Sequence, residues 1–236
     1  MTRIIRDRIQ RIAFANSTEL AHDFAEYAAG VLSQAIEKQQ TASLVVPGGR
    51  TPRAYLPVLA KQSLPWSRVT ITLSDERWVD TASENSNERL VKENLLDRLP
   101  EEAHFVSLKT RHDTPEQAIS EISQRLATIS QPLTLTILGL GEDGHIASLF
   151  PCLRLHERPD NATEAPCIAV NPAPTLPPRI SLSLTTLAQS QQIALVATGA
   201  SKRRLLDQLT EQADPGLPVL WLLQRSLSPV TVFESD

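Results

Sequence analysis

A chain of 236 residues, 41% hydrophobic and 21% charged, has an ordinary globular composition and is long enough for a sizeable core, in one large α/β domain or two small ones. Its net charge of -4 at pH 7 gives no long-range pull on nucleic acid, so any anionic ligand must be held by a local cluster of cations. No stretch approaches the roughly 18–20 apolar residues that span a bilayer, and the arginine-bearing start has no apolar signal segment, which points to a cytoplasmic protein.

Asn16 to Lys38 places Leu20, Phe24, Val31, Leu32 and Ala35 on one helical face, with Asn16 and Glu19 as a cap-like pair. Ser43 to Val46 is a short strand closed by Pro47-Gly48-Gly49, and Thr51-Pro52 opens a helix with proline in its first turn. Val69 to Leu73 reads as a strand, Ser86 to Leu96 as a helix and His104 to Leu108 as a weak strand. Thr114-Pro115-Glu116-Gln117 is a capping box opening a helix to Ile129. Leu133 to Leu138, Ile180 to Leu184 and Ile193 to Ala197 read as strands, Ser201 to Leu209 as a helix and Val219 to Leu223 as the last strand. Trp66 and Trp221 read as packing residues. This alternation predicts an α/β fold, an open, mostly parallel, Rossmann-like sheet with helices on both faces, which binds ligands beyond the carboxyl ends of its strands.

The central strand empties into Gly139-Leu140-Gly141-Glu142-Asp143-Gly144-His145-Ile146-Ala147-Ser148-Leu149-Phe150-Pro151. Three glycines allow a sharp turn, and an acid and an imidazole stand beside it. The run also reads as G-x-G-x-x-G, but its context is wrong for a dinucleotide site. Pro151 stops any helix within two turns, and Arg158 to Pro178 is Pro-rich with no clear βαβ continuation. After the Val46 strand, Gly48 and Gly49 let an anion approach backbone N–H groups, Thr51 adds a hydroxyl and a helix N-terminus follows, so this loop reads as a phosphate cradle. Ser74-Asp75-Glu76-Arg77-Trp78 follows another strand, and Thr198-Gly199-Ala200-Ser201-Lys202 puts a cation in a helix's first turn, where an anion would offset its conflict with the dipole. Arg179 precedes the Ile180 strand. Cys152 and Cys167 form no C-x-x-C, and Cys152 with His156 has no third or fourth ligand nearby, so no metal is expected.

Gly48-Gly49-Arg50-Thr51-Pro52, Ser74 to Val79 with Ser86-Asn87, Gly139 to Pro151, Pro177 to Leu182, and Gly199 with Lys202 occur in the order of the glucosamine-6-phosphate isomerase/6-phosphogluconolactonase family, and the chain resembles the 6-phosphogluconolactonases in it. The resemblance covers nearly the whole chain and implies one domain over residues 1–236. Arg50 departs from it where a small hydroxyl residue is usual, as does Gln224 where an acid often follows the last strand's Trp-aliphatic pair. It implies hydrolysis of 6-phosphoglucono-1,5-lactone in the oxidative pentose phosphate pathway by a cytoplasmic monomer, without cofactor, metal, nucleic acid or membrane. His145 is then the general base, with Asp143 or Asp75 orienting it. Arg179, Lys202 and the Gly48, Gly49, Arg50, Thr51 loop take the phosphate, and Arg77 faces the sugar or the oxyanion. No G-x-S-x-G nucleophile is present. One rival is the sister isomerase, which has a glutamate where this chain has Phe150. A non-catalytic sugar-phosphate sensor is the other; it would need the cradle but not His145.

Overall fold

The computed structural model describes residues 8–154, 165–173, 175–211 and 214–236. In chain order the elements are β1 (Ile9–Phe14), α1 (Ser17–Gln39), β2 (Ala42–Val46), α2 (Pro52–Leu59), β3 (Val69–Leu73), β4 (Asp75–Arg77), α3 (Asn87–Asn94), β5 (His104–Val106) and α4 (Pro115–Leu126). There follow β6 (Leu135–Gly139), β7 (Cys167–Val170), β8 (Arg179–Leu182), α5 (Leu184–Ala188), β9 (Gln192–Thr198), α6 (Ala200–Glu211), α7 (Pro218–Arg225) and β10 (Val230–Ser235). Seven strands make a wholly parallel sheet in the order β1-β10-β9-β6-β2-β3-β5, and β4, β8 and β7 make a small antiparallel sheet. Successive side chains of a strand point to opposite faces, and every residue of β2 and β10 is buried, so both faces of the large sheet are covered.

The start of α1 shows how local sequence sets a boundary. Asn16 Oδ1 accepts the backbone N–H groups of Thr18 and Glu19 at 3.0 and 2.9 Å, and Glu19 Oε2 accepts that of Ala15 at 3.3 Å. Such a cap is worth about 1 kcal/mol. The helix buries Leu20, Phe24, Leu32 and Ala35 as expected, while Val31 is only partly buried at the edge of the stripe. Phe24 meets Tyr55 and Phe233 edge-on, with ring centroids 4.7 and 4.9 Å apart, joining α1 to α2 and β10. Truncating such a ring to alanine costs about 3–5 kcal/mol.

Several boundaries differ from the sequence reading. Val219 to Leu223 lies in helix α7 and is buried throughout, so no face of it carries the polar residues that would have marked a helix. The last strand is β10, and β1 pairs beside it although its burial follows no simple alternation. The short strands β4 and β7 also lie where no strand was read; residues 158–164 and Pro174 fall outside the described residues. Thr114 occupies the N-cap position of α4, but its side chain makes no cap hydrogen bond, and Pro115 at N1 begins the helix without the expected box. Both Trp66 and Trp221 are fully buried. Among the described residues no helix is long and apolar enough to cross a membrane.

Candidate active site

Four neighbouring strands, β9, β6, β2 and β3, end at one edge of the sheet, and the loops that leave them surround a cleft of about 320 Å³. It is lined by Gly48, Gly49, Arg50, Thr51, Asp75, Arg77, His145, Arg179 and Lys202, which brings together every candidate except Asp143, whose side chain approaches from behind His145. The chain as a whole carries net negative charge, yet four cations, Arg50, Arg77, Arg179 and Lys202, face two carboxylates here, Asp75 and Glu142.

The loop after β6 is folded around its glycines. Gly141 N–H donates to His145 O at 2.9 Å, and Gly144 N–H to Gly141 O at 3.1 Å. A Cβ on Gly141 would collide with the His145 ring and the Asp143 carboxylate, so glycine is what lets the imidazole lie against the backbone. Asp143 Oδ1 stands 2.6 Å from His145 Nδ1 and also accepts the His145 backbone N–H at 3.2 Å. That contact assigns the ring proton to Nδ1 and leaves Nε2 as the basic nitrogen. The ring packs at 4.7 Å against Phe150, and the Arg179 guanidinium lies over the Phe150 ring at 5.3 Å. Ala147 sits at φ 48°, a left-handed conformation that costs a non-glycine residue about 1–2 kcal/mol.

Asp75 is placed differently. It is buried, accepting Ser74 Oγ at 2.9 Å and Ser148 Oγ at 2.6 Å, with Arg179 Nη1 at 3.9 Å. Asp143 is therefore the acid in contact with His145, and Asp75 joins β4 to the β6 loop and to Arg179. Strands β4 and β8 set Arg77 directly opposite Arg179. Like charges at paired strand positions repel. Burial holds Arg179 below the ordinary guanidinium value, Asp75 opposing the fall and Arg77 adding to it. The Nε atoms of both arginines are buried with no partner among the described residues. Lys202 lies in the first turn of α6, half-buried, and its ammonium is pushed below the ordinary lysine value by burial, Glu142 opposing and Arg50 reinforcing.

Three residues in this architecture had been assigned no role from the sequence. Asn87 donates from Nδ2 to Asp75 O at 2.8 Å, and its side chain occupies the space a Cβ on Gly48 would need. Glu76 is fully buried and accepts the backbone N–H groups of Arg77, Asn87 and Glu88, each at 2.7 Å, and Ser86 Oγ at 3.0 Å. Burial pushes its carboxyl up, against these donors, which pull it down. Ser148 links Asp75 to Arg179, whose Nη1 reaches its Oγ at 3.4 Å. The signal for Glu76 was the Ser86 N-cap ten residues on, whose helix start its carboxylate completes. Gln224 lies on α7 rather than after a strand. Among the described residues no three His, Cys, Asp or Glu side chains cluster as a metal site would require, and His156 lies outside them.

The chain matches the glucosamine-6-phosphate isomerases/6-phosphogluconolactonase family over residues 15–231. A 6-phosphogluconolactonase of Rhizobium meliloti is 36% identical over 222 residues, covering 93% of this chain and 96% of that protein. The crystal structure of a 6-phosphogluconolactonase from Shewanella baltica superposes with a TM-score of 0.89 at 36% identity, covering 96% of this chain and 97% of that one. That of a 6-phosphogluconolactonase from Thermotoga maritima gives 0.84 at 25% identity, covering 97% of this chain and all of the other. The chain belongs to the glucosamine-6-phosphate isomerases/6-phosphogluconolactonase family.

Proposed function

We propose that this protein hydrolyses 6-phosphoglucono-1,5-lactone to 6-phosphogluconate in the oxidative pentose phosphate pathway, as a cytoplasmic monomer whose residues 1–236 form one domain. The observation that carries the reading is the Asp143–His145 pair set in a cleft with four cations. With its proton held at Nδ1 by Asp143, His145 takes a proton from water at Nε2 as the water attacks the lactone carbonyl. The carbonyl oxygen becomes anionic, and Arg77, braced by its 2.7 Å hydrogen bond to Asn85 O, supplies positive charge for it or for the sugar. The ring C–O bond then breaks, and the imidazolium returns the proton to the leaving alkoxide. Arg179, Lys202, Arg50 and the Gly48 to Thr51 loop hold the phosphate. That dianion also relieves the repulsion between Arg77 and Arg179.

The relatives' family also includes an isomerase, and Phe150 separates the two readings. Moving protons between neighbouring sugar carbons and opening the ring calls for an acid and a base in sequence, and phenylalanine supplies neither. The test is to incubate the purified protein with the lactone and, separately, with glucosamine 6-phosphate. Acid release above the spontaneous rate in a pH-stat, with no ammonia from the amino sugar, is expected. Ammonia at a rate comparable to lactone hydrolysis overturns the reading.

A further inference from the structure

The chain between His145 and Phe150 folds back on itself. Ile146 and Leu149 are fully buried and face each other in an isolated antiparallel bridge, with Leu149 N–H donating to Ile146 O at 2.9 Å. The left-handed Ala147 makes this reversal tight, and the residues that flank it, His145 and Phe150, come out side by side. A proline disfavours the helical conformation in the residue before it, and Phe150, which precedes Pro151, is extended at φ -93° and ψ 155°. Phe150 is not among the residues lining the cleft, yet its ring meets two groups that are. One is the His145 imidazole, 4.7 Å away between centroids and tilted by 41°; the other is the Arg179 guanidinium, 5.3 Å from the ring centroid. Neither group is fixed by its polar contacts alone. The contact between Nδ1 and Asp143 anchors one edge of the imidazole in its plane and does little to stop the ring tilting out of that plane. Arg179 Nη1 reaches Ser148 Oγ at 3.4 Å and Asp75 Oδ2 at 3.9 Å, both longer than the ordinary N–H···O range of about 2.7–3.2 Å. An aromatic ring supplies what each lacks: a flat surface for the imidazole to rest on, and a cation–π contact for the guanidinium.

We propose that Phe150 is a positioning residue shared by the base and the phosphate clamp. Its ring holds the imidazole plane so that Nε2 faces the substrate, and it holds the Arg179 guanidinium where the phosphate is met. One apolar side chain outside the cleft thus sets the geometry of two polar groups inside it. The contacts themselves rest on geometry; their effect on turnover rests on the lactonase reading.

Phe150→Leu keeps apolar bulk and removes the ring, whereas Phe150→Tyr keeps the ring. The leucine variant is expected to raise KM for the phosphorylated lactone about two- to fivefold, the worth of a cation–π contact, and to lower kcat as well. The tyrosine variant should stay within about twofold of wild type on both. Adding Phe150→Leu to Arg179→Ala should raise KM no further than Arg179→Ala alone, while kcat falls as before. Two readouts need no turnover. Phosphogluconate affinity by calorimetry should weaken in the leucine variant by the same factor as KM. The ring nitrogens of His145 in 15N NMR should show one Nδ1-protonated tautomer in wild type and in the tyrosine variant, and averaging between tautomers in the leucine variant. Phe150→Met, whose flexible chain fills irregular space, repeats the comparison should Phe150→Leu fail to fold. Equal losses in the leucine and tyrosine variants, or a loss confined to kcat or to KM, overturn the shared role, as does a leucine variant that matches wild type. A protein that leaves the lactone untouched would overturn the lactonase reading instead, and calorimetry and NMR would still decide whether Phe150 holds these two groups.

Discussion

Asp143 and Asp75 are both acids on loops leaving the same sheet edge, and they are put to opposite uses. Asp143 is half exposed, on a loop of glycines, and its hydrogen bonds among the described residues go to the imidazole and backbone N–H of His145. Asp75 is buried, with both oxygens engaged by serines and Arg179 close by. An acid that must stabilise a transient imidazolium needs one directed contact. An acid that must fix a cation in place needs several, because an unpaired buried charge is costly. On the proposed mechanism the same side-chain chemistry serves turnover at one position and architecture at the other.

The largest effect expected is at the base that Asp143 serves. His145→Ala should lower the enzyme-dependent rate about a hundredfold to ten-thousandfold, with phosphogluconate binding and thermal stability retained. The rate must be read above spontaneous lactone hydrolysis, and a variant with more than half the wild-type rate removes His145 from the mechanism.

The two acids themselves give the sharpest contrast. Asp143→Asn should lower kcat about tenfold to a hundredfold, the worth of one hydrogen bond to a charged group, with little change in melting temperature. Asp75→Asn should disturb the fold and KM instead, because Arg179 loses its nearby charge; each kcal/mol lost lowers the melting temperature by about 2–4 °C. Equal behaviour of the two variants on both readouts erases the distinction drawn between them.

Arg179→Ala and Lys202→Ala should each weaken binding of the phosphorylated lactone by about 1.5–3 kcal/mol, and unphosphorylated gluconolactone should be a poor substrate insensitive to either change. Equal losses on both lactones would assign these cations to the fold or the ring.

The smallest effect is one of pH. Burial lowers the Lys202 ammonium below the ordinary lysine value, so its charge is fully present on the acid side and is lost, as pH rises, before a free lysine would give up its proton. Phosphogluconate affinity followed by calorimetry should therefore decline on the alkaline side, and Lys202→Arg, which stays charged, should move that decline upward. An alkaline limb unchanged by Lys202→Arg would locate the titration elsewhere.

The cleft was legible in the sequence because its makers are punctuation. Gly48, Gly49, Gly141 and Gly144 are forced by close approach or by backbone conformation, and such glycines stand out after apolar runs. Parallel strands such as β2 and β9 declare themselves as apolar runs for the same reason. What could not be read is whatever depends on tertiary pairing. The apolar run of α7 is equally a buried strand or a buried helix until its surroundings are known. Strands β4 and β7 exist only because β8 lies between them, and their three or four residues carry no periodicity of their own. The choice between Asp143 and Asp75 belongs to the same class, since sequence distance from His145 says nothing of which carboxylate its ring reaches.

Val219 N–H donates to Gly144 O at 3.0 Å, and Leu217 packs where a Cβ on Gly144 would stand. The first turn of α7 is thereby fastened to the residue that precedes His145. Helix formation is cooperative, so a fluctuation that frays this turn releases a carbonyl of the loop that carries His145 in the same event. If His145 is the base proposed above, the imidazole's precision is in this sense borrowed from a helix outside the lining of the cleft, and selection for turnover extends to apolar packing around Trp221 that would otherwise answer to stability alone.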